Sequence, residues 1–138
     1  MKAPRTNSVS QKLEQIINNF APQTRKDHLA AKRANRIAAL NDQLRQQGRG
    51  GSIVMTQGIS NLEPAARKRI IIAVRDFAAF TPDNDPYGER DCAVLEVDGQ
   101  RVIWKIDAYD RSIRVGSPDP ADPKVTHRVL TIMLADEY

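Results

Sequence analysis

The stretch CAVLEVDGQRVIWKI, residues 92–106, decides the fold of this 138-residue chain. Asp98-Gly99 lies between two β-type runs, Cys92–Val97 and Gln100–Ile106, and an Asp-Gly pair in that setting is the strongest short hairpin signal. A two-residue turn pairs Val97 with Gln100. Counting back sets Glu96 opposite Arg101, Leu95 opposite Val102, Val94 opposite Ile103 and Ala93 opposite Trp104. One face then carries Ala93, Leu95, Val97, Val102, Trp104 and Ile106, and is expected to be the core. The other mixes Val94 and Ile103 with a Glu96–Arg101 cross-strand ion pair and Lys105, as a partly exposed face would.

Downstream of the hairpin, a turn at Asp110 introduces a third expected strand, Ser112–Val115, and Gly116–Pro120 forms a rigid loop. Asp122-Pro123 supplies an N-cap and a first-turn proline for an expected last helix through Tyr138, with Val125, Val129, Ile132 and Met133 as its apolar stripe. Upstream, TPDNDPYGER at 81–90 is too dense in turn formers to continue a helix or a central strand. Before it, Ser60 and Glu63 form a capping box and Pro64 suits a first helical turn, so a helix is expected to reach Phe80 and stop at Thr81-Pro82. Ile70, Ile71, Ile72, Val74, Phe77, Ala78 and Phe80 wrap more than one face of it, which predicts a largely buried helix with Arg67, Lys68 and Arg75 on the wet side. Ser52–Thr56 reads as a strand between the Arg49-Gly50-Gly51 loop and Gly58.

Two N-terminal helices are expected. Val9, Leu13, Ile16, Ile17 and Phe20 recur at helical spacing after Ser8 or Ser10, and Ala21-Pro22 ends that segment. A second, from about Thr24 to Gln47, carries Leu29, Ile37, Leu40 and Leu44 and stops at Gly48. The sum is an α+β fold: a small antiparallel sheet of three or four strands with two helices packed on it, plus two basic N-terminal helices. The expected organisation is an amphipathic helical extension over 1–23 and one α+β domain over 24–138.

Composition bounds the function classes. Lys and Arg total 21 against 17 Asp and Glu, a net charge of +4, and the excess sits in residues 1–60, where ten cations face three acids. With one Cys and two His, neither an internal disulfide nor a zinc tetrad free of carboxylates can form. The opening MKAPRTNSVS lacks an apolar signal core, and a cytoplasmic protein is expected.

Several strings, FTPDNDPYGE at 80–89, WKID at 104–107, GSPDPADP followed by RVLTIMLADEY, RIAALND at 36–42 and GGSIVMTQG at 50–58, resemble an uncharacterised bacterial family, the domain of unknown function 3768. The resemblance covers about residues 33–138. It implies a setting on plasmids, phages and other mobile elements of proteobacteria, beside genes for conjugation and for defeating host defences. It implies no catalytic residue.

The residues themselves name no reaction. Asp83, Asp85, Glu89 and Asp91, joined by Asp107 and Asp110, offer enough oxygens for Mg²⁺ or Ca²⁺, yet the regular spacing of a calcium loop is absent and Asp and Asn also shape turns. No metal site and no cofactor are therefore expected. Cys92 with His127 and an acid would make a nucleophilic set, but Cys92 sits inside a strand without a strained nucleophile turn. Gly48, Gly50 and Gly51 lack the Lys-Ser or Lys-Thr of a phosphate loop.

Partner binding is the expected work. Arg25, Lys26, Lys32, Arg33, Arg36, Arg45 and Arg49 form a basic helical set able to meet phosphates or an acidic protein surface. Asp83, Asp85, Tyr87, Glu89, Asp91, Tyr109 and Asp110 form an acidic loop face with aromatic anchors. The leading expectation is a non-enzymatic anti-defence inhibitor from a mobile element, of the anti-CRISPR or anti-restriction type, that binds a host defence complex and blocks nucleic-acid access or cleavage. The alternatives are a nucleic-acid-binding accessory protein of a plasmid or phage and, third, a metal-dependent nuclease. The apolar stripe of the first helix also suits pairing with its copy in a homodimer.

Overall fold

A computed structural model describes residues 4–138, with side chains for 9–17 and 25–138. Phe20 and Ser8 of the expected first helix lie outside the described side chains. The elements are helix α1 (Pro4–Gln47), strand β1 (Gly51–Met55), a short α2 (Gln57–Ser60), α3 (Pro64–Asp76), β2 (Cys92–Val97), β3 (Gln100–Tyr109), β4 (His127–Leu134) and a terminal 3₁₀ turn, Ala135–Glu137. The chain divides into two compact units, Met1–Arg33 and Ala34–Tyr138.

The hairpin forms in the expected register, Cys92 opposite Lys105 through Val97 opposite Gln100. Asp98 and Gly99 both take positive φ, 54° and 79°, the backbone a two-residue turn needs to match the strands' right-handed twist. The sheet order is β1-β4-β3-β2. β3 pairs antiparallel with both β2 and β4, whereas β1 pairs parallel with β4. The sheet is therefore mixed, not antiparallel throughout.

Four expectations are corrected. The C-terminal segment is strand β4, not a helix. Val129, Thr131 and Ile132 are β-branched, and Arg128, Leu130 and Ile132 alternate onto one buried face, a period of two that the Val125-Val129-Ile132 spacing disguised. As a strand it pairs with β1 on one side and β3 on the other, backbones that a helix here would leave without these partners. Ser112–Val115 is a turn, because Asp110 Oδ1 accepts the Arg114 and Val115 amides and Oδ2 the Ser112 hydroxyl, with Ile113 at φ 59°. Just beyond it, Gly116 bridges to Tyr109 and the Ser117 amide donates to the Ala108 carbonyl of β3 at 2.9 Å.

α1 continues through Pro22 rather than breaking there. Proline removes one donor and crowds one carbonyl, a local penalty, and the helical ladder resumes beyond it. α3 starts from Glu63 with Pro64 in its first turn, but no side chain caps it, since Ser60 belongs to α2. It ends at Asp76 and buries only Ile70 and Val74. Ile71 and Ile72 stay exposed, so its apolar surface is a single stripe.

That stripe, with Ile59 of α2 and Leu44 of α1, packs on the sheet face formed by Ala93, Val102, Trp104, Ile106, Leu130 and Ile132. Leu95 and Val97 join as partly buried neighbours. Phe77 and Phe80, in the extended segment after α3, meet the Trp104 ring edge-on at 6.1 Å. The aromatic cluster thus fixes where the 81–90 loop departs from the core.

Candidate interaction surfaces

The last turns of α1 spend their polar groups on the fold. Arg45 is 4% exposed; its Nη1 donates to the carbonyls of Val74, Arg75 and Phe77 at 2.9–3.0 Å, and its Nη2 donates to Asp42. Val74 and Arg75 lie in the last turn of α3 and Phe77 follows it; the Phe77 amide reaches the Val74 carbonyl at 3.4 Å, and the guanidinium fork completes the C-cap. Its carbon lies 4.9 Å from the Trp104 ring centre and 5.5 Å from that of Phe80, a cation–π arrangement. Arg36 Nε donates to the Ala121 carbonyl at 2.7 Å. Buried Asn41 donates to the Glu89 carbonyl and accepts from Arg128 Nε, and Arg128 also donates to the Pro120 carbonyl.

This arrangement divides the expected basic set. Arg45 leaves the solvent-facing cations altogether, and Arg36 is tied to the 120s loop. Arg49 is exposed and donates to Gln47. Arg25, Lys26, Lys32 and Arg33 are exposed on α1 and, at about 100° per residue, share a sector of about 120°. Leu29 stands in its middle, 63% exposed. Further back, Val9, Leu13, Ile16 and Ile17 expose 51–59% of their surface at helical spacing.

The acidic loop face is partly assembled. Asp85 accepts the Arg90 amide, Arg90 reaches Asp42 at 2.8 Å, and the Arg90 guanidinium sits over Phe80. Thr81 and Asn84 close their own turn through Asn84 Oδ1 and the Thr81 hydroxyl. Asp85, Asp91 and Asp107 lie close enough to repel: burial first, then the charges of Asp85 and Asp107, raise the Asp91 carboxyl above its usual value. Tyr87 and Asp83 are exposed, Tyr109 closes β3, and Glu89 lies near enough to Arg128 to favour its charged form. Asp110 serves its own turn, and its carboxyl is held low by the Arg114 amide.

Among the described residues no group of three His, Cys, Asp or Glu is arranged to hold a metal ion. Burial and then the Asp91 carboxylate raise the Cys92 thiol, the opposite of what a nucleophilic thiolate needs. Cys92 aligns through Lys105 with Thr131, which is about 13 Å along β4 from His127 at 3.3 Å per residue. The sequence reading missed the actual partner of His127: its Nε2 lies 2.9 Å from the Ser52 hydroxyl across β1 and β4. No sequence signal joined residues 75 positions apart; the parallel pairing did.

Two further carboxylates are engaged, one at the C-terminus and one on β3. Glu137 accepts the Thr56 hydroxyl at 2.6 Å and the Leu134 and Gly58 amides at 2.9 Å, and these donors hold its carboxyl below its ordinary range. Lys105 and Asp107 form an ion pair on the sheet face away from α3.

No helix among the described residues is long and apolar enough to cross a membrane. No curated protein and no solved structure matches the chain. A family model described as a protein of unknown function, DUF3768, matches residues 55–137, the span from the end of β1 through the aromatic cluster and hairpin to the Glu137 clasp, and to that family the chain belongs.

Proposed function

We propose that this protein is a non-enzymatic inhibitor carried by a mobile element, which occupies a surface of a host defence complex, a CRISPR effector or a restriction enzyme, and blocks its access to nucleic acid. The observation that carries the reading is the exposed side chains of α1 among the described residues 9–17 and 25–32, where Val9, Leu13, Ile16, Ile17 and Leu29 stand exposed beside Arg25, Lys26 and Lys32. Such side chains suit docking: an exposed apolar stripe gains by burial against a partner, and clustered cations speed and orient the encounter. The choice of a defence complex as target comes from the mobile-element setting that the family resemblance implies. The cytoplasm of the bacterial host is the compartment this requires.

The test is capture from a host lysate containing both kinds of complex, with nuclease-treated and high-salt arms. Stoichiometric recovery of one defence complex in every arm, lost with Leu13→Glu plus Ile16→Glu, is the expected result. Recovery of nucleic acid alone, abolished by nuclease, overturns it.

A second reading is favoured by the cation sector of α1: a nucleic-acid-binding accessory protein in which Arg25, Lys26 and Lys32 meet the phosphate backbone. Its signature is affinity that falls with salt at a slope of about −0.9 per neutralised phosphate, reduced when Arg25 and Lys32 become Glu.

A further inference from the structure

The outer edge of β1 is the least protected backbone in the sheet. Thr56 N–H donates to the Ile132 carbonyl of β4 at 3.1 Å, and the N–H and C=O of alternate residues in a strand point to alternate sides. Val54 and Ser52 therefore face β4, while Gly51, Ile53 and Met55 turn their amides and carbonyls outward, and no described residue pairs with them. Ile53 and Val54, on opposite faces of the strand, are 48% and 46% exposed. Natural sheets blunt such edges with charges, prolines or bulges, but residues 50–62 contain no charge and no proline. The opposite edge, β2, is blunted: Glu96 and Asp98 lie along it, and Arg69 pairs with Asp98 at 2.7 Å.

We infer that the β1 edge pairs antiparallel with β1 of a second copy of this chain, joining two four-stranded sheets across a two-fold axis at Ile53. The strand is complementary to itself in that register. Ile53 faces its own copy as a hydrogen-bonded pair, and Gly51 faces Met55 as another, which uses every outward amide and carbonyl. Between them Ser52 faces Val54. Apolar side chains meet apolar ones on the Ile53 face, and glycine at 51 adds no bulk at the ends. Charge does not oppose the pairing: each chain carries a net charge of +4, and none of it lies in residues 50–62, the segment the two copies would bring together.

The test uses the full chain in sedimentation equilibrium over a concentration series. Ile53→Pro removes an outward amide without touching the ladder to β4, a position where edge strands tolerate proline, and Ile53→Lys adds like charge at the axis. Each is expected to weaken dimerisation at least about tenfold while Trp104 fluorescence reports an intact core. Ile53→Cys in a Cys92→Ser background is expected to cross-link to its own copy under mild oxidation, and Val54→Cys, which faces Ser52, to do so poorly. A wild-type chain that stays monomeric, a dimer that survives both Ile53 variants, or one lost only with Leu13→Glu plus Ile16→Glu in α1 overturns the inference.

Discussion

Two stretches of α1 carry similar residues to different ends. Between residues 34 and 47, Ile37, Ala38 and Leu44 are buried, and Asn41 and Arg45 are buried with them. Between 9 and 33, Val9, Leu13, Ile16, Ile17 and Leu29 are exposed, and so are Arg25, Lys26 and Lys32. Arg45 in the first stretch caps another helix; Arg25 in the second is exposed. Helical periodicity reports that a helix has an apolar side, and the rest of the molecule decides whether that side is used.

Breaking the buried stretch should cost most. Arg45→Ala removes the buried donor to the Val74, Arg75 and Phe77 carbonyls and leaves Asp42 with Arg90 as its remaining cation, and should destabilise the domain by about 3–5 kcal/mol; Arg25→Ala should change stability by no more than about 0.5 kcal/mol. Urea unfolding followed by Trp104 fluorescence measures both, and equal effects would erase the distinction between the two stretches.

Leucines sharpen it further. Leu44→Ala leaves a cavity beneath the sheet, at about 2–5 kcal/mol, whereas Leu13→Ala should leave the same unfolding midpoint unmoved. A smaller effect is expected at the point where the helix hands over to the sheet. Gly51 approaches β4 so closely that an added Cβ would overlap the Arg128 carbonyl oxygen, so Gly51→Ala should shift the thermal midpoint down by the equivalent of about 1–3 kcal/mol.

Glu137 gives the mildest and most specific change. Its folded carboxyl is held below its unfolded value, so its stabilising contribution is present above the unfolded value and disappears as pH falls through the folded one. Unfolding midpoints measured from neutral to acid pH should lose part of their slope in Glu137→Gln, with Asp91→Asn as a contrast. Burial raises the Asp91 carboxyl, so its ionised form opposes folding above the folded value and the penalty lifts as pH falls. That substitution should stabilise the protein at neutral pH.

The local signals that could be read without structure were those in which neighbours in sequence are neighbours in space. Asp98-Gly99 specified its own turn, and the turn specified the register of β2 on β3 and the burial of Trp104. Pro64 specified a helical first turn. The acidic loop was legible as turns, since Asp85 and Asp110 bond amides within five residues. By contrast, HRVLTIML satisfies an i, i+4 stripe and a two-residue alternation together, and only the presence of β1 and β3 on either side made it a strand.

The sequence by itself determined an α+β domain with one hairpin, a basic N-terminal helix and too few Cys and His for structural zinc, because each follows from composition or from bonds spanning a few residues. The tertiary structure alone decided that β1 runs parallel to β4, that Arg45 belongs to the interior, that Ser52 meets His127, and that one sheet edge is left open. Those outcomes depend on which distant backbone groups compete for the same partners, and that competition is resolved only when the whole chain packs.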